Sequence, residues 1–343
     1  MFPNSAGRYS IGVMKRVVLI LAVVIAAVVA LILLVRTPDT NREAMIAKYG
    51  GPNAQFADGP GGMKVHWRDQ GCRDCPPMIL IHGSSASLHT WGPLIERLGV
   101  EYRIITYDQP GHGLTGPHPM DDYSAAGMMQ ALNAVAQAAG VERFILGGNS
   151  MGGWVAWRYA LAYPERVDAL LLLDAAGAPP RADEAPPKLP IGFKLARMRA
   201  LSPILMHVTP RSVVERSVYQ TVEVDEIVTP EMVDRYWELL RFPGNRQATA
   251  IRNRTDREEA YADRLGDIAA PSLVLWGDKD SLIPVSAADT FAERLPNATK
   301  VILTGVGHLP MEEAPDATAS AISRFLDDLA PEAEDSLALE PAP

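Results

Sequence analysis

The chain has 343 residues, 48% of them apolar and 21% charged, and a formal net charge of −9. That balance excludes a disordered chain, a collagen-like repeat and a multi-span transporter. It leaves one large α/β domain or two small ones.

Residues 1–16 form a short tail with three cations (Arg8, Lys15, Arg16) and no acid. Residues 17–35 are an unbroken apolar run of 19. As a helix this run spans about 28 Å, one hydrocarbon core. The alternatives are a buried core helix and a cleaved signal; the run is too long for a signal's apolar region, and although Ala27-Val28-Val29-Ala30 has cleavage-site spacing, more apolar sequence follows it. The segment reads as a transmembrane anchor. Its flanking charges are nearly balanced, with Arg36, Arg42 and Lys48 beyond it. The short acid-free tail favours a cytoplasmic N-terminus and an extracytoplasmic body. Residues 36–55 read as a linker.

The body begins near residue 56. Residues 63–68 alternate like a strand, and residues 78–81 are a short apolar run ending in His82-Gly83. Between them lie Cys72 and Cys75, the only cysteines. Their turn context suits a small disulfide outside the cytoplasm, with two free thiols as the alternative. Residues 102–107 predict a strand ending at Asp108. Residues 125–139 predict a helix closed by Gly140. Residues 144–147 and 169–173 predict two further strands around a helix at 151–163, which stops at Pro164. Residues 272–276 and 300–303 predict the last two strands. Short apolar strands alternating with helices predict a mostly parallel sheet with helices on both faces.

One stretch breaks that rhythm. Residues 178–265 open with a Pro-rich segment (178–190) and then show helical patterns at 193–201, 230–240 and 246–254. They predict a helical lid inserted over the carboxyl ends of the strands, where open α/β sheets bind ligands. The core then splits into 56–177 and 266–330. Residues 331–343 carry four acids and read as a disordered acidic tail.

Gly148-Asn149-Ser150-Met151-Gly152 joins a predicted strand to a predicted helix. That is the context of a nucleophile elbow, which holds a serine hydroxyl exposed on a sharp turn. A serine hydroxyl needs a base. In the order serine, acid, histidine, the candidates are His207 and His308. His207 falls in the lid, whereas His308 follows the last strand and is the expected base. Asp174, Asp278 and Asp280 compete as the acid that orients it, and Asp280 is preferred. Two backbone N–H groups must stabilise the oxyanion. Met151 supplies one, and Ser84 (with Ser85 next) supplies the other. His82 reads as a brace for its loop.

These motifs resemble the α/β-hydrolase superfamily over residues 60–328. His82-Gly83, Asp108-Gln109-Pro110-Gly111-His112-Gly113, the Ser150 elbow, Gly277-Asp278-Lys279-Asp280 with Pro284, and Gly307-His308 occur in the family's order. The resemblance makes Asp108 and His112 scaffold and implies an acyl-enzyme on Ser150. Serine at the elbow separates the chain from the Asp-dependent epoxide hydrolases and dehalogenases. Two serine groups are similar: membrane-associated lipases and carboxylesterases, and carbon–carbon hydrolases of aromatic ring-cleavage products. The anchor favours the esterase or lipase, acting on a small-molecule or lipid ester. A non-catalytic binding module on the same fold is a further alternative. No cofactor and no metal are implied, and the acidic body argues against nucleic acid as a partner.

Overall fold

Strands buried on both faces must be apolar at nearly every position, and four strands of this chain are. They are β3 (Pro77–Ile81), β5 (Phe144–Asn149), β6 (Val167–Leu173) and β7 (Ser272–Gly277). In the computed structural model they form the centre of an eight-stranded sheet. The residues described are 6–52, 54–179, 189–198, 200, 204, 206–254 and 259–329. The acidic tail and most of the Pro-rich segment at 178–190 lie outside them.

The sheet order is β1-β2-β4-β3-β5-β6-β7-β8, with β1 (Gln55–Asp58), β2 (Lys64–Gly71), β4 (Arg103–Tyr107) and β8 (Ala298–Leu303) completing it. β1 and β2 are antiparallel to their neighbours, and the remaining pairs are parallel. The register Ile79↔Ile105 and Leu80↔Gly147 brings the carboxyl ends of β3, β4 and β5 to one edge. β1 lacks an alternating signature because only Ala57 of its four residues is buried.

Two apolar clusters sandwich the sheet. One gathers α4 (Ala125–Ala139), α5 (Met151–Ala162) and α10 (Ser286–Arg294), with Leu132, Trp157 and Phe291 fully buried. The other packs α3 (Gly92–Leu98) and α12 (Pro315–Asp327) on the opposite face through Leu94 and Ile322. α4 follows the expected span, capped by the Ser124 hydroxyl at its start and by left-handed Gly140 at its end.

The insertion between β6 and β7 holds α6 (Ile191–Arg197), α7 (Arg211–Tyr219), α8 (Pro230–Leu240) and α9 (Asn245–Arg252). α8 has the expected bounds. The helix expected at 193–201 starts two residues earlier, and residues 199 and 201 lie outside those described.

The N-terminal helix α1 (Ala6–Leu34) includes the apolar run. Residues 36–55 differ from the expected linker. They hold a helix, α2 (Arg42–Tyr49), capped by Asn41, whose side chain accepts from Ala44 N at 2.8 Å. Arg68 clamps the end of α2 through the Tyr49 and Gly50 carbonyls. The signal for α2 was weak because Met45 is its one buried residue. Cys72 and Cys75 are joined as a disulfide in the turn between β2 and β3.

Candidate active site

The end of β5 turns sharply into α5 at Ser150, whose φ of 55° and ψ of −120° are unusual for a non-glycine residue. Neighbouring backbone holds it there. Ser150 N donates to Leu173 O at 3.1 Å, and Ala176 N donates to Ser150 O at 2.9 Å. The turn closes only because its flanks are glycine. A Cβ on Gly148 would lie 2.3 Å from the Gly152 carbonyl, and one on Gly152 would lie 2.0 Å from Ile81 O.

The loop after β3 lies directly against this elbow. A Cβ on Gly83 would come within 3.1 Å of Ser150 Cβ. Ser84 Oγ donates to the Met151 sulfur at 3.5 Å, so both expected oxyanion residues sit beside Ser150. His82 is fully buried and braces this loop, as expected. Its Nδ1–H donates to Gly83 O at 2.7 Å, and its Nε2 accepts from Gln109 N at 3.0 Å. Burial keeps its ring in the neutral form.

The Asp108 turn is structural. Asp108 accepts from Leu88 N and Leu114 N and bonds the His66 ring at 2.7 Å. Burial acts against its charge, but the His66 imidazole overrides that and holds the carboxyl below the usual range. His112 is held neutral by burial and by the Arg252 guanidinium, which donates to its Nε2 at 2.8 Å.

His308 follows β8 on the loop that starts α11 (Pro310–Glu313). Its Nδ1 lies 2.7 Å from Asp280 Oδ2, with both side chains almost wholly buried. An ionised carboxylate only accepts, so Nδ1 carries the proton and Nε2 remains the basic nitrogen. Asp280 Oδ1 accepts from Leu282 N and Ile283 N, which fixes the carboxylate. Asp278 instead accepts from Gly305 N at 2.7 Å and braces the β8 loop. His207 is exposed on the lid, and its carbonyl accepts from Thr37 N.

Asp174 ends β6 in a left-handed conformation (φ 45°) and is fully buried. It accepts from Gly277 N at 3.0 Å. Burial first, and the Asp280 carboxylate second, push its pKa well above the carboxylate range. Among the described residues, Asp174, Asp280 and His308 are the one cluster with metal-ligand spacing, their donor atoms lying within 4.8 Å of one another. Two of the three, His308 and Asp280, are hydrogen-bonded to each other, and Asp174 accepts from Gly277 N.

Two positioning residues were not anticipated from the sequence. Asn149 Nδ2 donates to Leu173 O and to His308 O, tying the elbow to the histidine loop. Glu313 accepts from Gly307 N and Leu309 N on that loop, and from Glu223 N and Val224 N on the lid. Asn149 occupies a variable position of the elbow motif, and Glu313 is one acid among many. Neither carries a spacing signal.

Ser150, His308, Ser84 and Met151 all line one cavity of about 750 Å³ roofed by the lid. Its far walls include Phe193, Leu195, Ile204, Met206, Val213 and Val214. An apolar cavity with a few polar groups at one end suits a small, mostly apolar ligand.

The alpha/beta hydrolase fold family pattern matches residues 76–315, and the chain belongs to that family. It is 29% identical to Lipase 3 of Moraxella sp. over 74% of this chain and 78% of that lipase. It is 28% identical to a 2-hydroxy-6-oxononadienedioate/2-hydroxy-6-oxononatrienedioate hydrolase of Paraburkholderia phymatum, over 78% of this chain and 91% of that enzyme. Among solved structures it resembles a membrane phospholipase A described as a bacterial virulence factor. That likeness has a TM-score of 0.68 and 26% identity, and it covers 94% of this chain and 99% of the other.

Proposed function

We propose that the protein is a membrane-anchored serine hydrolase that cleaves carboxylic esters with apolar acyl groups. Ser150 attacks the carbonyl while His308 Nε2 takes its proton, and Asp280 orients and stabilises the imidazolium. The Ser84 and Met151 backbone N–H groups receive the oxyanion. His308 returns its proton to the leaving alcohol, and water activated by His308 then releases the acid.

The observation that carries this reading is the apolar lid cavity opening onto the Ser150–His308 end. Each methylene moved from water into such a cavity contributes about 0.8 kcal/mol. With p-nitrophenyl esters of graded length, kcat/KM should rise about fourfold per methylene until the cavity is filled. No turnover at any length, with turnover of a dienoate ring-fission product, would transfer the assignment to carbon–carbon hydrolysis. The Paraburkholderia phymatum likeness keeps that second reading in view.

The anchor rests on α1. Residues 14–31 have a mean hydropathy of 2.6, and none of that span is buried against the body. Such a surface needs lipid around it. The likeness to the membrane phospholipase A also supports it, because 94% of the chain is more than residues 36–343 could supply. The Cys72–Cys75 disulfide supports an extracytoplasmic body. A protease-protection experiment in which the body is shielded on the cytoplasmic side would overturn that orientation.

A further inference from the structure

The segment that leaves α1 is bonded to the lid from Thr37 onward. Thr37 N donates to His207 O at 2.8 Å, and Thr209 N donates to Thr37 Oγ1 at 2.7 Å. Arg246 donates to Thr37 O at 2.8 Å and to the Asp39 carboxylate at 2.6 Å. Thr40 N donates to Arg241 O at 2.9 Å, and Arg241 returns a bond to Pro38 O. Lys48 and Tyr49 both donate to Glu238 at 2.7 Å. The expected linker is therefore a strap along α8, α9 and the loop at 206–210.

Chain length turns this strap into a distance. Val35 is the last residue of the apolar run, and Arg36 alone separates it from Thr37. Two trans peptide steps reach at most about 7 Å. Whatever the tilt of α1, the lid loop, one hydrogen bond of 2.8 Å beyond Thr37, stays within about 10 Å of the end of the apolar segment. This loop is also a wall of the cavity: Met206, Val208, Thr209 and Pro210 line it. Ile204 lines the cavity and is 39% exposed. Met198, 50% exposed, adds apolar surface close by in the sequence.

We propose that this rim of the lid, Ile204 with the 206–210 loop and the strap at 37–40, docks on the bilayer that holds α1. The cavity then takes the acyl chain of a lipid directly from the same membrane. The proposal rests on the anchored-esterase reading and adds the docking face and the source of the substrate. The exposed part of this rim is mixed: Ile204, Pro38 and Pro210 suit the acyl boundary, while Asp39 (paired with Arg246), His207 and Arg36 suit the headgroup layer.

The test uses the full chain reconstituted into phosphatidylcholine vesicles that contain monooleoylglycerol. A Gly/Ser insertion of about 20 residues between Arg36 and Thr37 leaves every strap contact in place but lets the body move about 25 Å from the anchor. Turnover of water-soluble p-nitrophenyl butyrate should be unchanged, and hydrolysis of monooleoylglycerol in the same vesicles should fall about tenfold or more. Equal lipid hydrolysis with and without the insertion overturns the docking proposal and leaves the esterase reading standing. Loss of p-nitrophenyl butyrate turnover in the uninserted chain would instead sink the esterase reading. The second measurement does not depend on turnover. Among the described residues no cysteine is free, so a single fluorophore can be placed at Ile204→Cys or Val100→Cys. Val100 is 77% exposed just before β4, at the opposite edge of the sheet from the site. Lipid-borne quenchers should quench the label at position 204 and not the one at 100, and equal quenching at both positions overturns the docking face.

Discussion

Ser150→Ala should hydrolyse p-nitrophenyl esters at no more than a trace of the parent rate while unfolding at the same temperature as the parent chain. The serine is the single group at the elbow that can form the acyl bond, and removing a triad nucleophile costs about 10⁴–10⁶-fold in kcat. The change deletes one oxygen from a side chain whose backbone is held by Leu173 and Ala176, so the turn has no reason to open. His308→Ala should cost a similar factor. The double variant should be no worse than either single one, because the two groups act as a unit. Full activity in Ser150→Ala would remove the nucleophile assignment. Loss of activity with retained fold, and loss of labelling by a fluorophosphonate, would exclude a binding module that merely shares the fold.

The central sheet was legible because its strands are buried on both faces. Residues such as Ile79, Leu146, Leu172 and Val274 leave no polar position to disguise the pattern. The candidate triad was legible because each member follows the end of a strand at the same edge of a parallel sheet, so chain order and strand order carry spatial information. His308 could be preferred over His207 on that ground alone. The strap was not legible. Its hold on the lid comes from Thr37, Asp39, Thr40 and Glu238, ordinary polar residues whose partners lie roughly 170 to 210 positions away. The roles of Asn149 and Glu313 were hidden for the same reason. They act through backbone amides and carbonyls, which every residue has, and no residue type signals which amide will be reached. Asp174 lies between these cases. Its place at the end of β6 marked it as a rival for the acid, and only the geometry separates its environment from that of Asp280.

That separation predicts opposite outcomes for two conservative substitutions. Asp280→Asn removes the charge that faces His308 Nδ1 at 2.7 Å and allows the wrong tautomer. An amide can donate to Nδ1, which would move the ring proton to Nε2, where the base must be free. kcat should fall about 10³–10⁴-fold. Asp174→Asn should keep most of the activity, because an amide stands in for the uncharged carboxyl that burial and the Asp280 carboxylate favour. It should also stabilise the fold at neutral pH. A carboxyl whose folded pKa is raised binds its proton more tightly in the folded state. Wild-type stability therefore declines as pH rises from the unfolded value, about 3.9, toward the folded one. The decline approaches about 1.4 kcal/mol per pH unit, and asparagine does not share it. The difference in stability between Asp174→Asn and wild type should grow from near zero at about pH 4 and level off above the raised value. Urea unfolding across that range measures it. If Asp174→Asn instead loses activity as severely as Asp280→Asn, then Asp174 is the acid that serves His308 and the present assignment is reversed.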